Sequence, residues 1–389
     1  MKIVFISNAL DHIQMPLCDE FYLQTEGNFH YVAMTQSSGI RSDITPADIN
    51  RTKAYVIRPY EGKEQEQAAK KVIHEADAVI LGTAPEEYIA DRMQENKLTF
   101  RYMERLYKTP FTLSNTPRRI VSAFLHHSRY QKKELHLLCA GAYAACDHEI
   151  FGNYRNKRYV WGYFPAFREQ NVEELLTRKK NKNIVEIIWV GRFVGLKHPE
   201  QVICLAEYLK KCKIHFHINM IGYGEMLEEC KNIVRREGLL EVDILGSKRP
   251  SEVRDYMDKA DILLFTSDRE EGWGAVVNEG MNSLCAVVAS AAAGVSSYLV
   301  HDGENGFLYD CKNQDSLNRK VKKLIMNEQF RVQIAKRGYQ TVRDFWNPKN
   351  AVASFIKLTT SILQQQQNPV KEGPCSPAPM IKDGWFRDE

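Results

Sequence analysis

Short runs of β-branched and aliphatic residues alternate along this chain with longer stretches in which apolar residues recur every three to four positions. In the first half the apolar runs fall at 2–7, 30–34, 54–57, 78–81, 111–113 and 135–140. In the second half they recur at 184–190, 215–221, 242–245, 262–266, 286–289 and 306–309. Strands separated by helices of about ten residues or more read as βαβ units, whose parallel sheets are covered by helices on both faces. Two such series predict an α/β protein with two Rossmann-like domains.

The polar, charged stretch 168–183 (REQNVEELLTRKKNKN) interrupts the sheet-like pattern. It is read as a linker between a domain over 1–167 and a second over 184–341. The periodic segment within 342–363 follows Trp346 and Pro348, and predicts a helix that crosses back to the first domain. Beyond it, 364–389 contains QQQQNPVKEGPCSPAPM, a polar and Pro-rich composition that predicts a flexible, unpacked tail. Trp385 and Phe386, near its end, are ill suited to solvent.

Composition narrows the class. A chain of 389 residues can bury two sizeable cores, and 44% hydrophobic with 26% charged residues excludes a disordered, collagenous or coiled-coil protein. Lys+Arg 53 against Asp+Glu 49 gives a net charge of +4, a balance that argues against a nucleic-acid binder. The nine cysteines are odd in number and contain no C-x-x-C pair, which favours reduced thiols in a cytoplasmic compartment over disulfides or a zinc site. The N-terminal segment does not read as a signal peptide, and no run approaches the roughly 18 apolar residues of a membrane span, so any membrane role is expected at the surface.

Candidate chemistry concentrates in the second half. In IIWVGRFVGLKHPE an apolar strand ends at Gly191-Arg192 and is followed by Lys197 and a helix that opens at Pro199. Two cations at the carboxyl end of a parallel strand, beside a helix start, suit a diphosphate; the plain alternative is a loop with two solvated cations. Gly222, in the turn after the next strand, reads as a second strand-to-helix turn at the same edge. The segment SDREEGWGAVVNEGMNS places Glu271 and Glu279 eight residues apart around Gly272, Trp273 and Gly274. The same spacing occurs at Glu87/Glu95 and Glu229/Glu237, but only the 271/279 pair flanks a Gly-rich loop that opens an apolar helix. Such a loop lets backbone N–H groups approach an anionic ligand, with Glu271 and Glu279 free to meet its hydroxyls.

Taken in order, GRFVGLK, IGYGE, ILGSKRPSEVRDYMDKADILLFTSDREEGWGAVVNE and DGENGFLY resemble the nucleotide-sugar domain of retaining glycosyltransferases of the GT-B fold, family four, over about 184–324. The resemblance implies two Rossmann-like domains facing a central cleft, and transfer of a sugar from a nucleotide-diphosphate donor, UDP being favoured, with retained anomeric configuration and no metal or other cofactor. It implies that Gly191, Arg192 and Lys197 meet the diphosphate, that Gly222 lies at the same edge, and that Gly246, Ser247, Lys248 and Arg249 lie along the base. By the same resemblance Glu271 and the amides of Gly272, Trp273 and Gly274 hold the donor sugar, Val276 and Val277 amides complete the diphosphate cradle, and Glu279 binds the ribose. Glu271, Arg192 and Lys197 are thus the expected catalytic residues of this domain.

The sequence also departs from that family. After Glu279 it has Leu284 where glycine is usual and Ala286 where proline is usual, which touches a helix-to-strand turn. Ser114-Asn115-Thr116-Pro117 stands where many relatives carry a histidine near the donor sugar. In its place His12, in the polar loop after the first strand, is the candidate for orienting or deprotonating an acceptor hydroxyl. Residues 101–133 carry eight basic side chains against Glu104, a local charge of +7. Such a segment either lies on an anionic leaflet, which would point to a polyprenyl-diphosphate-linked glycan acceptor and a peripheral position at the inner face of the plasma membrane, or packs on the sheet with a solvated basic face. A nucleotide-sugar epimerase of the same fold, and a non-catalytic sugar-nucleotide-binding partner of an assembly complex, remain as alternative functions.

Overall fold

In the computed structural model the described residues are 1–36, 49–109, 112, 114–180 and 184–388. They divide into two compact units. The first comprises Met1–Ala166 with Asn347–Lys382, and the second Phe167–Trp346 with Asp383–Glu389.

The first unit holds β1 (Ile3–Ser7), β2 (Phe29–Ala33), β3 (Val56–Ile57), β4 (Ala78–Leu81), β5 (Thr99–Met103), β6 (Leu135–Ala140) and β7 (Arg158–Trp161). They form one parallel sheet in the order β3-β2-β1-β4-β5-β6-β7. Strands β1, β4 and β6 are buried along their whole length, as parallel strands covered on both faces must be. The expected strand at 111–113 rests on Phe111 and Leu113, which lie outside the described residues. Two strands escaped the sequence pattern, β5 and β7, and each carries an arginine. Arg101 reaches Glu86 at 2.8 Å, and Arg158 pairs with Glu149, so both cations are neutralised inside the fold.

The second unit holds β8 (Val185–Val190), β9 (Phe216–Ile221), β10 (Val242–Gly246), β11 (Ile262–Phe265), β12 (Ala286–Ser290) and β13 (Phe307–Tyr309). Its parallel sheet runs β10-β9-β8-β11-β12-β13. Both units are therefore Rossmann-like parallel sheets with helical crossovers, the two-domain composition of the GT-B fold.

Three boundary expectations need correction. The linker expected at 168–183 instead contains the helix Val172–Lys180, which packs within the second unit. Leu175 and Leu176 bury against Leu284 and Tyr339, and the Lys179 ammonium caps the carbonyls of Ala260, Ser283 and Leu284. Residues 181–183 lie outside the described residues. The helix that packs in the first unit is Pro348–Leu363, so 342–346 stay with the second unit. Its Phe355 meets the rings of Phe21, Phe100 and Trp161 at 4.8 to 5.9 Å between centroids.

The described part of the tail expected to be unpacked is ordered. Cys375 and Ser376 exchange backbone hydrogen bonds with Val160 at 2.7 and 2.8 Å, and the Ala378 amide donates to Arg158 O at 3.1 Å. Strand β7 is the last in its sheet, so these bonds satisfy polar groups that a bare edge would leave open. Further on, in the second unit, Asp383 pairs with Arg269 at 2.8 Å and the Trp385 indole N–H donates to Ala291 O at 3.2 Å. Backbone pairing needs no apolar side chain, which is why a polar, Pro-rich composition did not reveal it.

Candidate active site

In the second sheet, β8 is followed in sequence by a neighbour on one side, β9, while β11 lies on its other side. That reversal makes the carboxyl ends of β8 and β11 the switch point at which open α/β sheets bind ligands. The loops after these two strands are stitched together there. The Asp268 amide donates to Leu196 O at 2.9 Å and the Thr266 hydroxyl to Lys197 O at 2.5 Å. Lys197 and Glu271, 74 residues apart, form an ion pair, with side chains only 15% and 17% exposed. His198, at φ +46, spans Glu200 (2.7 Å) and Asp268 (3.3 Å), and these carboxylates, Glu200 foremost, raise its pKa. Arg192 is exposed and has no ion-pair partner among the described residues.

Two glycines are imposed by geometry. Gly222 has φ +153, and a β-carbon there would stand 1.7 Å from the carbonyl oxygen of Gly191. Gly274 has φ +107, and a β-carbon would stand 2.3 Å from the Phe265 ring. The loops after β8, β9 and β10 can thus close on one another: Gly191 N–H donates to Ile221 O at 3.1 Å and Gly222 N–H to Gly246 O at 3.0 Å.

The loop after β11 leads into the helix Val276–Asn282. Among the described residues, the consecutive amides of Gly272, Trp273, Gly274, Ala275 and Val276 make no hydrogen bond. Five unsatisfied donors in a row, beside a lysine, form a surface suited to anionic and hydroxyl oxygens. The Val277 amide, expected to join the diphosphate cradle, donates to Gly274 O at 3.0 Å and closes the first turn of the helix. The Trp273 side chain is buried, its indole N–H donating to Asn278 Oδ1 at 3.0 Å and its ring lying 5.3 Å from that of Trp346. Only the Trp273 backbone is therefore available to a ligand.

Glu279 follows on the same helix, its side chain 23% exposed and 3.9 Å from the guanidinium of Arg254. Burial pushes its carboxyl pKa up, and Arg254 opposes that push. Arg254 is buried, and also bonds Asn282, whose amide group exchanges two hydrogen bonds with the backbone of Arg168 at 2.8 and 2.9 Å. Sequence reasoning missed Arg254, because 25 residues separate it from Glu279 and nothing local marks it. Gly246 ends β10 at φ +68, and Ser247 and Lys248 follow it. Arg249 is tied to Glu252 at 2.9 Å through an exposed pair, so its side chain is engaged at the start of a helix.

In the first unit the order reverses between β1 and β4, and His12 lies in the loop after β1. Its neighbour Asp11 accepts the amides of Ile13 (2.9 Å) and Gln14 (2.7 Å), which fixes that turn. The loop after the fifth strand starts at Glu104 rather than at Ser114, and 104–115 contains no histidine.

Residues 170–341 match the model of the family Glycosyl transferases group 1. An uncharacterised glycosyltransferase of Methanocaldococcus jannaschii is 33% identical over 156 residues, 40% of this chain and 43% of that protein. A Campylobacter jejuni enzyme is 26% identical over 161 residues, 41% of this chain and 44% of its own. Its name is GalNAc-alpha-(1->4)-GalNAc-alpha-(1->3)-diNAcBac-PP-undecaprenol alpha-1,4-N-acetyl-D-galactosaminyltransferase. The chain thus spans less than half the length of these curated relatives. The crystal structure of the Anabaena protein HepE in complex with UDP superposes with a TM-score of 0.67 at 16% identity, covering 94% of this chain and 100% of that one.

Proposed function

From the match of residues 170–341 to the glycosyl transferases group 1 family, we propose that this chain transfers a sugar from a nucleotide-diphosphate donor to a glycan. The observation that carries the reading is the run of hydrogen-bond-free amides at 272–276, set against the Lys197–Glu271 pair at the sheet's switch point. Leaving-group departure puts negative charge on the diphosphate as the sugar becomes oxocarbenium-like, and prearranged cations and amides lower that barrier without reorganising. Arg192 and Lys197 supply the cations and the amides of Gly272 to Val276 the donors. When a diphosphate reaches Lys197, the Glu271 carboxylate is released from its ion pair to accept hydrogen bonds from sugar hydroxyls.

Glu279, steadied by Arg254, receives the ribose hydroxyls, and Gly246 to Lys248 border the base. Transfer proceeds with retention and without a metal, the two side-chain cations supplying the charge neutralisation. A UDP-sugar is the favoured donor, a choice supported by the UDP bound to HepE. A lipid-linked glycan of surface polysaccharide synthesis is the favoured acceptor, supported by the undecaprenol-diphosphate substrate in the Campylobacter relative's name. His12 orients the acceptor hydroxyl.

A thermal-stabilisation screen of UDP- and GDP-sugars tests the donor reading, since a ligand at 100 times its Kd adds about 2.7 kcal/mol. One nucleotide class is expected to stabilise the protein, and Arg192→Ala and Glu271→Ala to abolish the shift. Sugar nucleotides that stabilise neither wild type nor variants, or all of them equally, would overturn the assignment. Product anomer analysis by NMR tests retention, and turnover unchanged by chelator tests metal independence. Interconversion of the sugar with donor alone would replace transfer by epimerisation.

A further inference from the structure

The helix Thr116–His126 is turned the wrong way round for a helix of a globular core. Ile120, Val121, Phe124 and Leu125 are 50%, 57%, 60% and 45% exposed, while Ala123 is the buried residue of the helix. At 100° per residue the four large apolar side chains share an arc of about 140°, and Ala123 lies well outside it. A helix packed on a sheet places its apolar arc inward, so an arc of this kind exposed to water marks an interaction surface.

The charge beside the arc selects the partner. Residues 116–133 carry Arg118, Arg119, Arg129, Lys132 and Lys133 and no Asp or Glu. Of the wider basic segment, Arg101 and Arg129 share Glu86 (both 2.8 Å) and Lys108 faces Glu104 at 3.5 Å, so those charges are internally offset. Arg118 is exposed and has no ion-pair partner among the described residues. It borders the apolar arc, and with Tyr107, Thr109, Asn115 and Arg119 lines a recess of about 350 Å³. Among the described residues no helix is long and apolar enough to cross a membrane.

We propose that the helix Thr116–His126 docks the protein on an anionic phospholipid bilayer, its apolar arc entering the headgroup boundary and Arg118 meeting lipid phosphates. A self-complementary contact with a second copy would set this basic rim against itself, which favours the lipid surface. Partition needs neither donor nor acceptor, so this proposal stands or fails independently of the transferase reading.

Vesicle flotation of the full chain tests it, using phosphatidylcholine alone and phosphatidylcholine with phosphatidylglycerol. Wild type is expected to float with the anionic vesicles, less so at high salt, and weakly with the neutral ones. The double variant Val121→Gln/Phe124→Gln is expected to lose at least about tenfold in partition, and Arg118→Gln about fivefold. Both variants change exposed side chains, so their circular dichroism and thermal midpoints are expected to match wild type. Equal flotation of the double variant, wild type that ignores anionic vesicles, or self-association abolished by Phe124→Gln without vesicle binding would each overturn the proposal.

Discussion

Leu284 sits at φ +53, a conformation that costs a β-carbon-bearing residue about 1–2 kcal/mol. It is the C′ residue of a Schellman closure: Cys285 N–H donates to Gly280 O (3.0 Å) and Leu284 N–H to Met281 O (3.1 Å). The departure from glycine noted in the sequence thus marks a strained backbone whose side chain is 1% exposed and packed with Leu175, Leu176 and Tyr339. Leu284→Ala is expected to cost about 2–4 kcal/mol in denaturant unfolding. Leu284→Gly should be no worse, since glycine relieves the left-handed strain that alanine keeps; a Gly variant less stable than Ala would remove the strain argument. The Lys197–Glu271 pair makes a second prediction. In a double-mutant cycle on donor affinity, Lys197→Met and Glu271→Gln should be non-additive by about 0.5–3 kcal/mol, because each leaves the other half-buried and unpaired. Both residues were legible as polar groups at strand ends. Their pairing was not, because it depends on β8 and β11 being sheet neighbours.

At the scale of elements, periodicity located most of the strands, β8 with Glu186 and β10 with Asp243 among them, and missed two that carry an arginine. β5 and β7 contain Arg101 and Arg158, each paired with a glutamate that precedes the strand in the chain, Glu86 and Glu149. The Val172–Lys180 helix was misread for the same reason: its buried face is narrow, and Lys179 is anchored by carbonyls rather than by a carboxylate. The helix Pro348–Leu363 is the opposite case, a strongly patterned element whose Phe355 is fully buried against three aromatic rings. Phe355→Ala is expected to destabilise the first unit by about 3–5 kcal/mol, read as lost hydrogen-exchange protection in β1 and β6. Equal loss in β8 and β11 would show that the cost is not confined to that unit.

At the scale of the whole molecule, the two units are expected to differ in their response to acid. His127 and His148 are buried in the first unit with ring centroids 4.6 Å apart, and neither ring nitrogen of His148 has a hydrogen-bond partner among the described residues. Burial first, then neighbouring positive groups, lowers their pKa values to about 2 and about 3 from 6.5. The folded state keeps both rings neutral while the unfolded chain takes up protons below 6.5, so stability is full above that pH and falls as pH drops. The slope approaches about 1.4 kcal/mol per pH unit for each histidine. In the second unit Glu279, with its raised carboxyl pKa, works in the opposite sense. Exchange protection should therefore fall in β6 before β11 between pH 7 and 5; simultaneous loss, or replacement of both histidines without effect, would refute it. The tail along β7 carries a consequence for handling the protein. A truncation before residue 375 would uncover the strand's outward amides and carbonyls, inviting the same strand of another molecule to pair there, so shortened chains should be judged first by their tendency to form fibrils or soluble multimers.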